Sequence, residues 1–366
     1  MLSRSLALFA VATWAALGVG GGAAAAQGAQ RISGPHVHAN LAVYLIHGAD
    51  ASGSDKVPLT LAEALSKGSV QVTETGRVNE LRVENTGGEE VFIQAGDIVK
   101  GGRQDRVLVV SLLLPPRSGA VPISSFCVEP GRWSARGGED PTRFASASET
   151  MPSRRALLVL ASPPPARAAD ARAPDARPAN ARAENEQRRG GDDTANRQRE
   201  VWDSVAKTQS NLAAGLGAPV TATQSATSLQ LSLEHAMLKE AQAPFLAALE
   251  APGLEDGDVI GYVAAINGRP VSANVYPSHG LFRKVWPKQL AAVVTEAIGD
   301  PAGASPPPAP TTGAVEAFLA APERGTPQER KTAADMSQET REGDGALYTE
   351  ARSSSGRWVH KNYLAR

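Results

Sequence analysis

Apolar residues gather into short runs of strand length in the first third of this chain, vanish in the middle, and return at helical spacing afterwards. The run LAVYLI, within residues 38–47, predicts a first strand. Thr60 then offers an N-cap to a short helix, and Gly68 stands just past its end. Residues 70–73, 81–84 and 91–94 read as short strands, with Gly87-Gly88 as a turn. Residues 107–114 form a near-continuous apolar run, which predicts one strand buried on both faces and stopped by Pro115-Pro116. Residues 121–128 read as the next strand.

Residues 161–200 contain no Val, Ile, Leu, Met or aromatic residue. Ala-Arg dipeptides recur at Ala166, Ala171, Ala176 and Ala181. Such a stretch has too little apolar surface to offset its ordering entropy, so an unstructured insertion is expected. Order resumes at Val201. Trp202, Val205, Gln209 and Leu212 share one helical face, predicting a helix over 199–214. Leu229, Leu233 and Met237 mark a second helix, bent or ended near Pro244. Asn267-Gly268 between β-rich runs predicts a hairpin over 259–276 with a type I′ turn. Ser278 can cap a helix carrying Phe282, Val285, Trp286, Leu290 and Val293, kinked or split at Pro287. A short helix over 315–319 and strands over 346–351 and 358–363 follow a loose Pro-rich connection.

The fold class is therefore α+β, with a β-rich N-terminal part, a helix–hairpin–helix C-terminal part and a disordered low-complexity insertion. The parts divide as 27–160, 161–200 and 201–300, with 301–366 as a loose C-terminal extension. No fixed-period repeat is visible.

Length and composition refine this picture. The chain has 366 residues, 42% hydrophobic and 5% aromatic, so its core leans on aliphatic side chains. A net charge of -1 argues against nucleic acid as a partner. Residues 1–26 read as a signal peptide. Arg4 gives the positive n-region, residues 5–20 the apolar core, and residues 23–26 a small-residue cleavage site after Ala25 or Ala26. The mature chain is expected to be exported, to the periplasm or beyond, with no membrane span after cleavage. Oligomeric state is left open.

The densest chemistry lies in residues 90–133. In AGDIVKGGRQDR, Gly101 and Gly102 can present backbone N–H groups to an anion, and Lys100, Arg103 and Arg106 add positive charge. Gln104 can donate to a ligand oxygen. Asp97 and Asp105 are candidate acid–base groups. The alternative is a hairpin turn with solvated charges and an internal Arg–Asp pair. The second segment, CVEPGRW, holds Cys127, Glu129, Arg132 and Trp133. Cys127 is the single cysteine, so it is a buried thiol, an intermolecular bridge or a reactive group. A C-x5-R phosphatase loop would need Arg at position 133, which is Trp133. The Walker A spacing is also absent. His279 is the histidine most worth pairing with Cys127. His36, His38 and His47 lie close in sequence, yet a polar strand start explains them without a metal. No particular cofactor is implied.

GDIVKGGRQDR followed by CVEPGRW resembles the ARG (ADP-ribosylglycohydrolase) and rhodanese-phosphatase-superfamily-associated protein domain, a bacterial family without an established activity. QREVWDSV and SHGLFRKVWPKQL extend the resemblance over about Ile32 to Ile298. Pro130 stands where the motif would place a more polar residue. The family's name implies association with ADP-ribose and phosphate chemistry. It carries no catalytic residues over.

Three readings follow. In the first, the glycine loop binds an anionic small molecule, phosphate- or ADP-ribose-like, through Lys100, Arg103, Arg106 and Arg132. In the second, Asp97, Asp105 or Glu129 serves a hydrolase of phosphoester or glycosidic bonds. In the third, the cluster stabilises a structural envelope protein. The first two require residues 97–106 and 127–133 to share an open cleft. The third requires them buried and mutually paired.

Overall fold

The first strand belongs to a hairpin. In the computed structural model, which describes residues 30–53, 56–132, 140, 142–162, 179–303 and 306–366, β1 (Arg31–His38) pairs antiparallel with β2 (Leu41–His47). β2 is buried along its whole length. Leu41, Val43 and Leu45 face the main core, while Ala42, Tyr44 and Ile46 face a second one. Strand side chains alternate, so two apolar faces mean a sheet covered on both sides.

β3 (Leu59–Thr60) enters α1 (Leu61–Ser66) through a capping box. The Thr60 hydroxyl accepts from the Glu63 N–H at 3.2 Å, and the Glu63 carboxylate accepts from the Thr60 N–H at 2.8 Å. Eight strands follow: β4 (Val70–Glu74), β5 (Glu80–Asn85), β6 (Val91–Ile93), β7 (Asp97–Gly101), β8 (Arg106–Leu108), β9 (Leu112–Leu114), β10 (Gly119–Cys127) and β11 (Phe144–Thr150). The helices α2 (Arg154–Ala161), α3 (Ala179–Leu216), α4 (Leu229–Leu233) and α5 (Ala236–Glu255) precede the hairpin of β12 (Val259–Ile266) and β13 (Arg269–Val275). Then come α6 (His279–Gly299), α7 (Thr312–Glu323), β14 (Gln328–Lys331), β15 (Ser337–Gly343), β16 (Ala346–Arg352) and β17 (Trp358–Ala365).

Two larger sheets organise the molecule. One has the order β1-β2-β12-β13-β17-β16-β15-β14, antiparallel throughout. The other runs β11-β7-β8-β10-β5-β4, and a bridge between Thr73 and Arg143 joins its two outer edges, curling it towards a small barrel. A three-stranded sheet, β3-β6-β9, lies beside them. α5 and α6 pack on each other and on the large sheet, and α7 covers its opposite face.

Several expectations change. Residues 107–114 are not one strand. β8 joins the barrel sheet and β9 joins the small sheet, with Val109, Val110 and Ser111 as the crossing. The run is buried except for the half-buried Leu113, because it passes from one sheet to the other inside the core. The GDIVKG stretch, read as a loop, supplies a strand, β7. Helix α3 starts at Ala179, well before residue 199. Residues 163–178 of the expected insertion lie outside the described residues, as do the signal segment 1–26 and Trp133. Helices α5 and α6 run on through Pro244 and Pro287 because their apolar faces are held by the core on each other. Residues 301–366 are no loose extension, since β17 pairs with β13 in the middle of the large sheet. The hairpin turn has the expected form: Asn267 and Gly268 both have positive φ, at 50° and 74°.

Candidate functional site

The glycine turn does bind an anion, but the anion is the chain's own. The Gly101 N–H donates to Asp105 Oδ1 at 3.0 Å, and the Gly102 N–H donates to the Arg143 carbonyl at 3.1 Å. A Cβ on Gly102 would sit 2.4 Å from the Phe144 ring, so glycine is required there for close packing. Asp105, Gln104 and Glu129 are wholly buried, and Arg106 is nearly so. Arg132 reaches Glu129 at 2.5 Å and Asp105 at 3.4 Å. Arg106 donates to the Gln104 carbonyl at 3.2 Å and reaches Glu74 at 3.5 Å. Gln104 donates to the Arg132 carbonyl. Lys100 is engaged outside the cluster, with Glu234 at 2.9 Å. Arg103 is exposed, and its N–H donates to Glu74.

Gln104, Asp105, Arg106, Cys127, Glu129 and Arg132 therefore converge, but in the interior rather than on an open cleft, while Arg103 and Gly131 stay exposed. Their charges satisfy one another, as buried charges must. The alternative placed an Arg–Asp pair within the turn itself; Asp105 instead reaches Arg132 of the second segment, in a buried pair, while Arg103 stays exposed. Cys127 is buried in the same region. Burial pushes its thiol up to about 11, with Arg106 offsetting only part of this. A thiol so protonated at neutral pH is a poor nucleophile. Its backbone is read by Gln198 of α3, which accepts the Cys127 N–H and donates to the Cys127 carbonyl, both at 2.9 Å. His279 is held elsewhere, on the Val259 carbonyl at 2.8 Å. His36 and His38 sit opposite Val43 and Leu41, whereas His47 pairs at the far end of the same hairpin, opposite Arg31.

Asp97 alone among the acid–base candidates reaches an open site. It lines a cleft of about 460 Å³ between the barrel strands, α1, α5 and α6. Lys288 meets Asp97 at 2.8 Å, Lys239 meets Glu149, and Lys284 meets Glu63 at 3.1 Å. The Asp97 carboxylate also accepts the Gln94 N–H at 2.9 Å, which fixes it to the strand end. Burial pushes the Glu63 carboxyl up, but hydrogen bonds from Thr60 and Lys284 outweigh this and hold it below the ordinary value. Phe92, Leu246, Val285, Pro287 and Ala291 give the cleft apolar walls.

The profile of the ARG and Rhodanese-Phosphatase-superfamily-associated Protein domain, ARPP-1, matches residues 29–364. The chain belongs to the ARPP-1 family. No curated protein and no solved structure matches it. The match runs beyond Ile298 and takes in α7 and the last four strands, so the ARPP-1 domain includes the C-terminal segment. Two of the motifs that carried the resemblance meet at the cleft, because GDIVKGG brings Asp97 and SHGLFRKVWPKQL brings Lys284 and Lys288. Sequence reasoning missed these lysines and Lys239. A signal was present: Lys284 and Lys288 stand four apart and share one helix face. Lys239 and Glu149 had none, as only the packing of α5 on α6, and of α6 on β11, brings them together.

Proposed function

We propose that this ARPP-1 chain binds a small amphipathic molecule with an anionic head, a phosphate or a carboxylate, in the lysine-rimmed cleft. The convergence of Lys239, Lys284 and Lys288 around a partly apolar cleft carries the reading. Each ammonium already has a carboxylate partner. An arriving anion shares these lysines with Asp97, Glu149 and Glu63 rather than meeting a bare positive field. That balance favours a head of low charge on an apolar body over a polyphosphate. The glycine-loop cluster, with Asp105 and Glu129 wholly buried, favours a second role for that segment: a rigid frame for the barrel.

Calorimetry with sugar phosphates, nucleoside monophosphates, ADP-ribose and aromatic carboxylates tests the cleft. At least one should bind. Lys284→Ala or Lys288→Ala should weaken it by about 10- to 100-fold, as for loss of one charged hydrogen bond. If none binds the wild type, or both variants bind as tightly, the reading fails.

The N-terminal pattern around Arg4 and residues 5–26 further supports export. Expression in a Gram-negative host should then yield a periplasmic protein starting at Ala26 or Gln27. An intact Met1 on the recovered protein would contradict it.

A further inference from the structure

Behind the cleft lies a second group of side chains that the ligand reading does not use. Gln94 and Gln289 line both the cleft and an internal cavity of about 40 Å³. On the inner side stand Ser111, His360 and Asn274, all buried. Ser111 Oγ lies 2.9 Å from His360 Nδ1, and His360 Nε2 lies 2.9 Å from Asn274 Oδ1.

The hydrogen bonds fix where the protons sit. Asn274 Nδ2 donates to the Tyr262 hydroxyl at 2.8 Å, and its Oδ1 faces His360. That oxygen also accepts from Asn362 at 2.9 Å. His360 must therefore carry its proton on Nε2, which leaves a lone pair on Nδ1. Ser111 Oγ accepts the Ala95 N–H at 3.0 Å and has its own proton left to give to Nδ1. This is the wiring of a hydroxyl nucleophile, its base and the group that orients the base. The two ring nitrogens are exchanged relative to the usual serine hydrolase order, but either nitrogen serves as base when the other donates. The imidazole is packed by Phe92 and stacked on Tyr276. The groups facing it are Ser111, Asn274, Phe92 and Tyr276, none charged at neutral pH. Burial keeps it neutral and also weakens it as a base, with a pKa of about 3.

We propose that Ser111 is a nucleophile towards a small carboxylic ester, with His360 as its general base and Asn274 as the positioning residue. The ester arrives through the lysine-rimmed cleft, so the route rests on the binding reading above. The Ser111 oxygen pair forms a bond to the ester carbon, and the bond to the alcohol oxygen breaks. The Ser111 proton passes to His360 Nδ1 and then to the departing alcohol. Water repeats the sequence on the acyl-serine, releasing the acid and restoring Ser111. The cavity has room for water but not for an acyl group. The Gln94–Gln289 wall must therefore part to admit the ester.

The test is labelling of the full chain with a neutral alkyl fluorophosphonate, read by peptide mass spectrometry. There the Ser111 oxygen bonds to phosphorus and fluoride leaves with the proton. Wild type should gain the adduct on Ser111, faster in Gln289→Ala, and Ser111→Ala should gain none. His360→Gln should react at least about 100-fold more slowly, as for loss of a general base. The wild-type rate should stay flat from pH 5 to 9. In Asn274→Asp a carboxylate faces Nε2–H and raises the basicity of the imidazole, so an acid limb should enter that range. No Ser111 adduct in folded wild type and Gln289→Ala, or an equal rate in His360→Gln, overturns the proposal. So does a wild-type rate that rises tenfold per pH unit, because hydroxide would then be the base. An unchanged profile in Asn274→Asp removes its positioning role. Anion binding is measured separately, so a blank there with Ser111 labelled strikes the cleft reading alone.

Discussion

Glu129 illustrates how a residue's chemistry depends on its surroundings. In sequence it is a candidate acid–base group. In the fold it is fully buried, 2.5 Å from Arg132, whose other partner is Asp105. Breaking such a pair leaves a charge in the interior without its counterion. Glu129→Gln should therefore lose about 3 kcal/mol in urea unfolding, the low end for a buried pair, because Asp105 still holds Arg132. A loss below about 0.5 kcal/mol, as for a solvated pair, would refute this account. The same burial explains Cys127. The sequence left it as a buried thiol, an intermolecular bridge or a reactive group, and a thiol at about 11 is protonated at neutral pH. Of the two glycines read as an anion-binding turn, Gly101 donates to the Asp105 carboxylate and Gly102 to a neutral backbone carbonyl. The identity of the anion, Asp105, was invisible because it depended on where the turn's own side chains fold back.

At the scale of elements, local signals worked where they were complete in themselves. The Thr60 capping box, the Ser278 cap and the Asn267-Gly268 turn all require only a few neighbouring residues. The apolar run 107–114 misled because its composition is the same for one buried strand or two in different sheets. Pro244 and Pro287 neither end nor split their helices: each costs a hydrogen bond, but the cross-helix packing of α5 on α6 outweighs that cost. The C-terminal strands are the sharpest case. β17 pairs with β13 and buries Val359, Tyr363 and Leu364. A chain ended after Glu323 would leave β13 as an apolar open edge, a template for aggregation. It should be insoluble, or should lack a cooperative thermal transition. Cooperative melting of the shortened chain with an unaltered circular dichroism spectrum would disprove this role.

Across the whole molecule, one buried and one half-buried group should shape the response to acid, with opposite signs. Burial lowers His360 to about 3, so the unfolded chain holds the extra proton between that value and the ordinary 6.5. Its contribution is present above about 6.5 and lost as pH falls towards 3. Burial raises Glu296 to about 7, against a weaker opposing pull from Arg154 at 3.7 Å. The folded chain then holds the extra proton between 4.5 and 7, so this group adds stability as pH falls through that window. Wild type should therefore lose melting temperature between pH 6.5 and 4, and Glu296→Gln, lacking the offset, should lose more. Equal losses in the two proteins would contradict the assignment of Glu296.

The sequence by itself determined the α+β class, the hairpin and helix caps, and the segments that carry membership of the ARPP-1 family. Each is encoded in a few adjacent residues, through alternation, capping hydrogen bonds or left-handed turn positions. Only the tertiary structure decided which charges are internal and which face an open cleft. Asp97 and Asp105 stand eight residues apart in chemically similar company, yet one meets Lys288 at a cleft and the other is sealed under Arg132. The cost of burying a charge depends on partners brought from distant segments. Lys288 and Lys239 reach their carboxylates, and Arg132 reaches Asp105, only when the sheets and the α5–α6 pair close around them.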